Sequence, residues 1–166
     1  MEMDLRVLAL KSYVGAATYL CMAYKGFFKP HNSSKYMGDP TKIMYRSMWE
    51  RKFMKFCDQN SNVIRWASEE VVIPYVSPVD KKQHRYFVDF LVEVKTPEGI
   101  KTWLVEIKPM KQCKQPEKKT KVTRTYISEV KTWLVNSAKW EAAKRVSEAK
   151  GWEFKILTEQ DLFKKP

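Results

Sequence analysis

The sequence predicts a single α/β domain whose elements run helix, three strands, helix, strand along the chain. Apolar residues recur at helical spacing within residues 40–58 and again within 125–150, which predicts two helices. Two runs rich in β-branched and aromatic residues flank a turn inside residues 85–109, which predicts a hairpin. At 166 residues, with 44% hydrophobic and 30% charged side chains, the chain is large enough for one core.

The first predicted helix begins at Asp39 and Pro40, which suit the N-cap and the first helical position. We expect the helix to end near Asp58, where polar residues follow. Its apolar face at helical spacing consists of Tyr45, Trp49, Phe53 and Phe56.

The first predicted strand lies within residues 63–75. Val71-Val72-Ile73 is a continuous apolar run, which is typical of a strand buried on both faces. We assign Glu69 and Glu70, just before this run, a solvated or structural role. A polar turn over residues 78–83 precedes His84, which we expect either to contact phosphate near the site or to make a structural hydrogen bond.

The hairpin signal in residues 85–109 sets the register of the next two strands. Residues 96–99, Thr-Pro-Glu-Gly, form the predicted loop, so Lys95 faces Ile100. Counting outward from the loop puts Asp89 directly opposite Glu106, with about 4.5–5.5 Å between their Cβ atoms. The two-residue period of a strand then places Lys108 on the same face as Glu106.

Two carboxylates side by side among apolar neighbours repel each other, which destabilises a sheet unless a positive charge is placed between them. A divalent cation with hard oxygen ligands satisfies that need. Asp89 opposite Glu106, with Lys108 two residues further on, is the arrangement expected for metal-assisted phosphodiester hydrolysis. The alternative is a solvated ribbon in which Lys95 and Lys108 pair the two acids. Apolar neighbours on the same faces, Phe87, Leu91 and Leu104, argue against it.

A basic stretch follows the hairpin. It holds seven positive charges in 17 residues against Glu117 alone, which favours contacts with a DNA backbone over a merely solvated loop. Beyond Lys108 itself, the candidate DNA-binding residues are Lys111, Lys114, Lys118, Lys119, Lys121 and Arg124.

The remaining elements are a long helix, a strand and a short helix. Residues 125–150 form the helix, in one piece or in two with Ser137 as a cap, and Gly151 ends it. Its predicted buried stripe is Val130, Trp133, Leu134, Ala138, Ala142 and Val146. Residues 152–157 alternate as a strand, and Thr158 and Asp161 have the spacing of a capping box.

Composition excludes several classes of protein. A net charge of +12 predicts a polyanionic partner, with nucleic acid ahead of a membrane surface. Three cysteines without a CxxC motif and only two histidines argue against a disulfide framework, a structural zinc site and an oxidising compartment. We treat residues 1–21 as an N-terminal extension of unassigned role and residues 22–166 as the single domain.

Four segments together resemble one known family: Tyr45-Arg-Ser-Met-Trp-Glu50, residues 66–75, His84-Arg-Tyr-Phe-Val-Asp-Phe90 and Val105-Glu-Ile-Lys-Pro109. The pattern is similar to the head completion nucleases of T4-like tailed phages, relatives of TnsA-type transposon endonucleases with the PD-(D/E)xK signature. The resemblance implies a restriction-endonuclease-like αβββαβ core, with a central mixed sheet flanked by helices.

The resemblance also implies a chemistry and a setting. It implies an Mg²⁺-dependent DNA endonuclease, with Mn²⁺ as a substitute, whose ligands are Asp89, Glu106, the Ile107 carbonyl and Glu50. For Glu50, helical spacing alone favours a surface ion pair with Arg46. The setting is the host cytoplasm during phage assembly, or the virion, near a packaged DNA end before tail attachment and beside head or portal-vertex proteins. The alternative is a non-catalytic head-completion protein that binds DNA ends or the portal region.

Overall fold

The computed structural model describes residues 24–118 and 120–163. The extension predicted for residues 1–21 therefore lies outside the described residues. The elements are β1 (Gly26–Phe27), a 3-10 helix (Ser33–Lys35), β2 (Met44–Tyr45), α1 (Met48–Gln59), β3 (Val63–Ser68), β4 (Val72–Val76), β5 (Gln83–Phe87), β6 (Phe90–Thr96), β7 (Gly99–Ile107), α2 (Met110–Cys113), α3 (Arg124–Lys150), β8 (Glu153–Leu157) and α4 (Glu159–Leu162). Within the described ranges, no helix is long and apolar enough to cross a membrane.

The central sheet has four strands in the order β3-β6-β7-β8. The first two pairings are antiparallel, and β8 lies parallel to β7, so the sheet is mixed. Helix α3 connects β7 to β8, as a parallel pair requires a long crossover. The prediction of an αβββαβ core around a mixed sheet is confirmed.

A hydrophobic layer covers each face of the sheet, because successive side chains of β7 point to opposite faces. Val105 and Ile107 pack in one buried cluster with Phe53 of α1. Leu104 packs in a second cluster with Ala143 of α3. The two long helices therefore lie on opposite faces, and β7 is the strand between them that carries the site.

The predicted hairpin register is confirmed, since Lys95 pairs with Ile100 and the ladder continues to Phe90 opposite Val105. The prediction of one strand from residue 85 onward is wrong, because the chain bends at residues 88–89 between β5 and β6. The strand predicted over residues 63–75 is likewise split at residues 69–71.

These two breaks face each other and form a β-bulge. Ser68 pairs with Phe90 on one side of it, and Val72 pairs with Phe87 on the other. Three residues on one strand thus oppose two on its partner. The strands beyond the bulge, β4 and β5, form a separate two-stranded sheet with only one covered face. Val72 is consequently 44% exposed, which corrects the expectation of a strand buried on both faces.

Helix α1 begins eight residues later than the sequence predicts. Asp39 does not cap it but accepts hydrogen bonds from the backbone N–H and hydroxyl of Thr41 in a local turn, at 3.0 and 2.6 Å. The N-cap is Ser47, whose side chain accepts a hydrogen bond from the backbone of Glu50. Tyr45 is buried, but it belongs to β2 and not to the helix.

Helix α3 is one continuous helix of 27 residues with Thr123 as its N-cap, so the break considered at Ser137 is absent. Gly151 ends it in the left-handed conformation, with φ at 67°, as predicted. Its buried residues all lie in the second half, and Leu134 is 36% exposed, which corrects part of the predicted stripe. The last strand and the capped helix α4 are confirmed, since Thr158 donates its backbone N–H to Asp161 at 2.9 Å.

Candidate active site

Two carboxylates and one ammonium group meet where β7 ends. The Lys108 Nζ atom lies 2.9 Å from Glu106 Oε1 and 3.8 Å from Asp89 Oδ2. Glu106 is only 2% exposed. The alternative of a solvated acidic ribbon is therefore wrong for Glu106, although Lys108 does pair with both acids.

Asp89 owes its place to the bulge. It lies in the bend before β6, one position beyond the last paired residue of the hairpin ladder. Its Oδ2 atom accepts a hydrogen bond of 2.8 Å from the backbone N–H of Ile107, and its side chain is 18% exposed. Its own carbonyl accepts one of 3.2 Å from the backbone N–H of Glu69. Asp89 is thus held by backbone contacts on both sides while its carboxylate faces Lys108.

Tyr86 is a site residue that the sequence reasoning missed. Its hydroxyl donates a hydrogen bond of 2.6 Å to Glu106 Oε2, so both oxygens of Glu106 have partners. Burial, and then the Glu106 carboxylate, raise the pKa of Tyr86 above its ordinary value, which keeps the hydroxyl a donor. A buried tyrosine normally finds a hydrogen-bond partner, and this signal could have pointed to Tyr86 three residues before Asp89.

The charges in the cluster are strongly linked. Burial, followed by the nearby Glu106 carboxylate, raises the pKa of Asp89 to about 8. Burial by itself lowers the pKa of Lys108, but Asp89 and Glu106 outweigh this effect and the pKa is raised. The protein therefore keeps a positive charge on Lys108, and it binds a proton at Asp89 more tightly than an exposed aspartate does.

Glu50 lies at the start of α1 and its carboxylate is engaged there. Oε1 accepts a hydrogen bond of 2.9 Å from the Ser47 hydroxyl, and Oε2 accepts one of 2.7 Å from the backbone N–H of Arg46. The ion pair considered between Glu50 and Arg46 is not formed by side chains, since the guanidinium of Arg46 pairs with Glu69. Glu50 is close enough to contribute to the raised pKa of Asp89, and its metal role stays a prediction.

The donor set was compared with the needs of a divalent cation. Among the described residues, no group of three or more His, Cys, Asp and Glu side chains is close enough to hold a metal ion. Asp89 and Glu106 nevertheless supply two hard carboxylates that share one cationic neighbour. Mg²⁺ commonly binds through one or two carboxylates and keeps several waters, so this pair fits a magnesium-type site.

The predicted DNA-binding residues lie away from the carboxylates. His84 is on β5, in the two-stranded sheet, and its Nε2 atom lies 2.8 Å from Asp80 Oδ2. Lys111, in α2, pairs with Glu129 at 2.9 Å. The remaining described members of the set are exposed along the segment between α2 and α3, namely Lys114, Lys118, Lys121 and Arg124. Lys119 lies outside the described residues.

Comparisons with known proteins agree with this architecture. The family model described as TnsA-like endonuclease N terminal matches residues 60–159, more than half of the chain. The chain is also 43% identical over 145 residues to the "Head completion nuclease" of Enterobacteria phage T4, covering 85% of this chain and 95% of that protein. No solved structure gives a significant match. The chain therefore belongs to the TnsA-like endonuclease family, with its restriction-endonuclease-like fold, and is a homologue of the phage T4 protein.

Proposed function

We propose that this protein is a metal-dependent DNA endonuclease that acts in phage head completion. The observation that carries the proposal is the pairing of buried Glu106 with Asp89 around one ammonium group, that of Lys108. Placing charged groups together in a protein interior costs several kcal/mol per ion unless they are well compensated. Two acids with one base leave a negative charge to be balanced, and a divalent cation supplies that balance.

The ligands that we propose for Mg²⁺ or Mn²⁺ are Asp89, Glu106 and the carbonyl of Ile107, with Glu50 completing the acidic cluster directly or through water. A cation bound there would supply Lewis-acid stabilisation of the charge that develops on the phosphate. The hydrogen bonds from Ile107 to Asp89 and from Tyr86 to Glu106 orient the two carboxylates before substrate arrives.

Lys108 has a different role in this proposal. Its ammonium group lies beside both carboxylates, where it can orient the attacking water or stabilise negative charge in the transition state. It is 25% exposed, so a phosphate can approach it from solvent. The raised pKa keeps Lys108 charged in the metal-free protein, which favours the electrostatic role.

The substrate that we propose is DNA. The net charge of +12 favours a polyanion, and the exposed lysines between α2 and α3 follow the site strand directly. Together with His84 and Arg124, these lysines would hold the phosphate backbone while Asp89 and Glu106 face the cleaved bond.

The biological setting follows from the name of the phage T4 relative. We propose action on or near the packaged DNA end before the tail joins, in the host cell during assembly or in the virion, beside head or portal-vertex proteins. Residues 22–166 would form the nuclease domain and residues 1–21 an extension.

A cleavage assay tests the proposal against the non-catalytic alternative. Purified protein is incubated with linear, branched and single-stranded DNA in Mg²⁺, in Mn²⁺ and in EDTA. We expect cleavage that requires the metal and is lost in Asp89→Asn, while Glu93→Gln, an acid on the same strand pair but outside the site, behaves as the wild type. DNA binding without metal-dependent cleavage on any substrate would favour the structural head-completion protein.

A further inference from the structure

An ion pair outside the proposed ligand set lies beside Asp89. The guanidinium of Arg46 donates two hydrogen bonds to the Glu69 carboxylate, with Nε–Oε1 and Nη2–Oε2 distances of 2.7 and 3.0 Å. This two-pronged geometry fixes an arginine and a carboxylate in orientation as well as in distance. The pair therefore joins the chain before α1 to the bulge between β3 and β4.

Glu69 is the bulge residue with an unusual backbone. Its φ angle is 57°, in the left-handed region that residues other than glycine seldom adopt. Its backbone N–H donates to the carbonyl of Asp89 at 3.2 Å. Such a conformation persists where surrounding contacts hold it, and the Arg46 pair is a contact of that kind. The conformation of Glu69 thus sets the position of the Asp89 backbone.

Arg46 also contacts the acid at the start of α1. Its backbone N–H donates to Glu50 Oε2 at 2.7 Å, while its guanidinium holds Glu69. A single residue thus connects Glu50 with the segment that carries Asp89. β-bulges commonly re-aim a side chain next to an active site, and this one has its own clamp.

We infer that Arg46 and Glu69 form a positioning pair that holds Asp89 in the geometry needed for metal binding. Neither residue touches the cation or the reacting phosphate in this inference, which rests on the proposed function. Exposed ion pairs contribute little to global stability, and the Arg46 side chain is 62% exposed. Loss of the pair should therefore act on the site more than on the fold.

The chain offers a matched control in Arg65 and Glu93. These residues form the same two-pronged pair across β3 and β6, at 3.0 and 2.8 Å, but away from the bulge. The variants to compare are Glu69→Gln and Arg46→Lys with Glu93→Gln and Arg65→Lys. Isothermal titration measures Mn²⁺ affinity of the metal-free protein, and steady-state cleavage of linear DNA separates kcat from KM.

We expect Glu69→Gln and Arg46→Lys to lower Mn²⁺ affinity and kcat by about 10–100-fold, the effect typical of residues that orient metal ligands. KM for DNA and the melting temperature should match those of the control variants. If Glu69→Gln equals Glu93→Gln in Mn²⁺ affinity and kcat, the inference is overturned. It is also overturned if Arg46→Lys raises only KM, because Arg46 would then contact DNA directly. A wild-type protein that neither binds Mn²⁺ nor cuts DNA would instead remove the proposed function itself.

Discussion

Replacement of Asp89 by asparagine should stabilise the metal-free protein at high pH. Burial and the Glu106 carboxylate raise the pKa of Asp89 from 3.8 to about 8, so the native state binds its proton more tightly than the unfolded state. The stabilising contribution is full below about pH 4 and falls by about 1.4 kcal/mol per pH unit until about pH 8. Asparagine stays neutral and can still accept the hydrogen bond from Ile107. The gain at pH 9 is therefore up to about 5 kcal/mol, an upper bound because the site is partly open to water.

Urea unfolding of both proteins in EDTA at pH 5, 7 and 9 measures this difference. We expect the curves to separate with rising pH, and Mg²⁺ to stabilise the wild type alone, since only it retains both carboxylates. Asp80→Asn is a control of opposite sign, because hydrogen bonds from His84 and from the Lys82 backbone lower the pKa of Asp80 to about 2. Equal stabilities of wild type and Asp89→Asn at pH 9 would refute the assignment of Asp89 to a repelling pair.

Three further predictions concern catalysis and binding. Lys108→Ala should reduce cleavage by about 10²–10³-fold, as for loss of one transition-state donor, with DNA affinity nearly unchanged in a gel-shift assay; unchanged cleavage would exclude its proposed role. Tyr86→Phe should lower metal affinity by about 10–100-fold by freeing Glu106, and titration calorimetry would show it, or show none if the bond is dispensable. Replacing Lys114, Lys118, Lys119 and Lys121 with glutamine should reduce the salt dependence of DNA binding by up to about 0.9 log units per contact, whereas an equal slope would mean that the stretch is only solvated.

The hairpin was predictable in register because its signal is local. Pro97 and Gly99 mark the turn, and a fixed count outward then pairs Lys95 with Ile100. That count brought Asp89 and Glu106 to neighbouring strands, which the structure confirms. Turn chemistry and the two-residue period therefore sufficed for the core of the site.

The bulge was not predictable from the same signals. Glu69 adopts a left-handed backbone that its residue type disfavours, and its partner Arg46 is 23 residues away in the chain. The start of α1 was mispredicted for a related reason. Both Asp39 and Ser47 are good N-cap residues, and tertiary contacts of β2 with β1 decided between them. Tyr86 was missed because its contact with Glu106 depends on where β5 bends.

The closeness of the site residues along the chain bears on how the protein folds. Asp89 and Lys108 belong to one hairpin, and its two strands meet after a loop of only a few residues. Such local contacts form early, because little chain entropy is lost in closing a short loop. Two acids brought together at that stage would oppose folding, but Lys108 lies on the same strand as Glu106 and arrives with it. The neutralising charge is thus present before the distant strand β8 joins the sheet, and we expect the hairpin to form in the folding transition state without a penalty from its own catalytic charges.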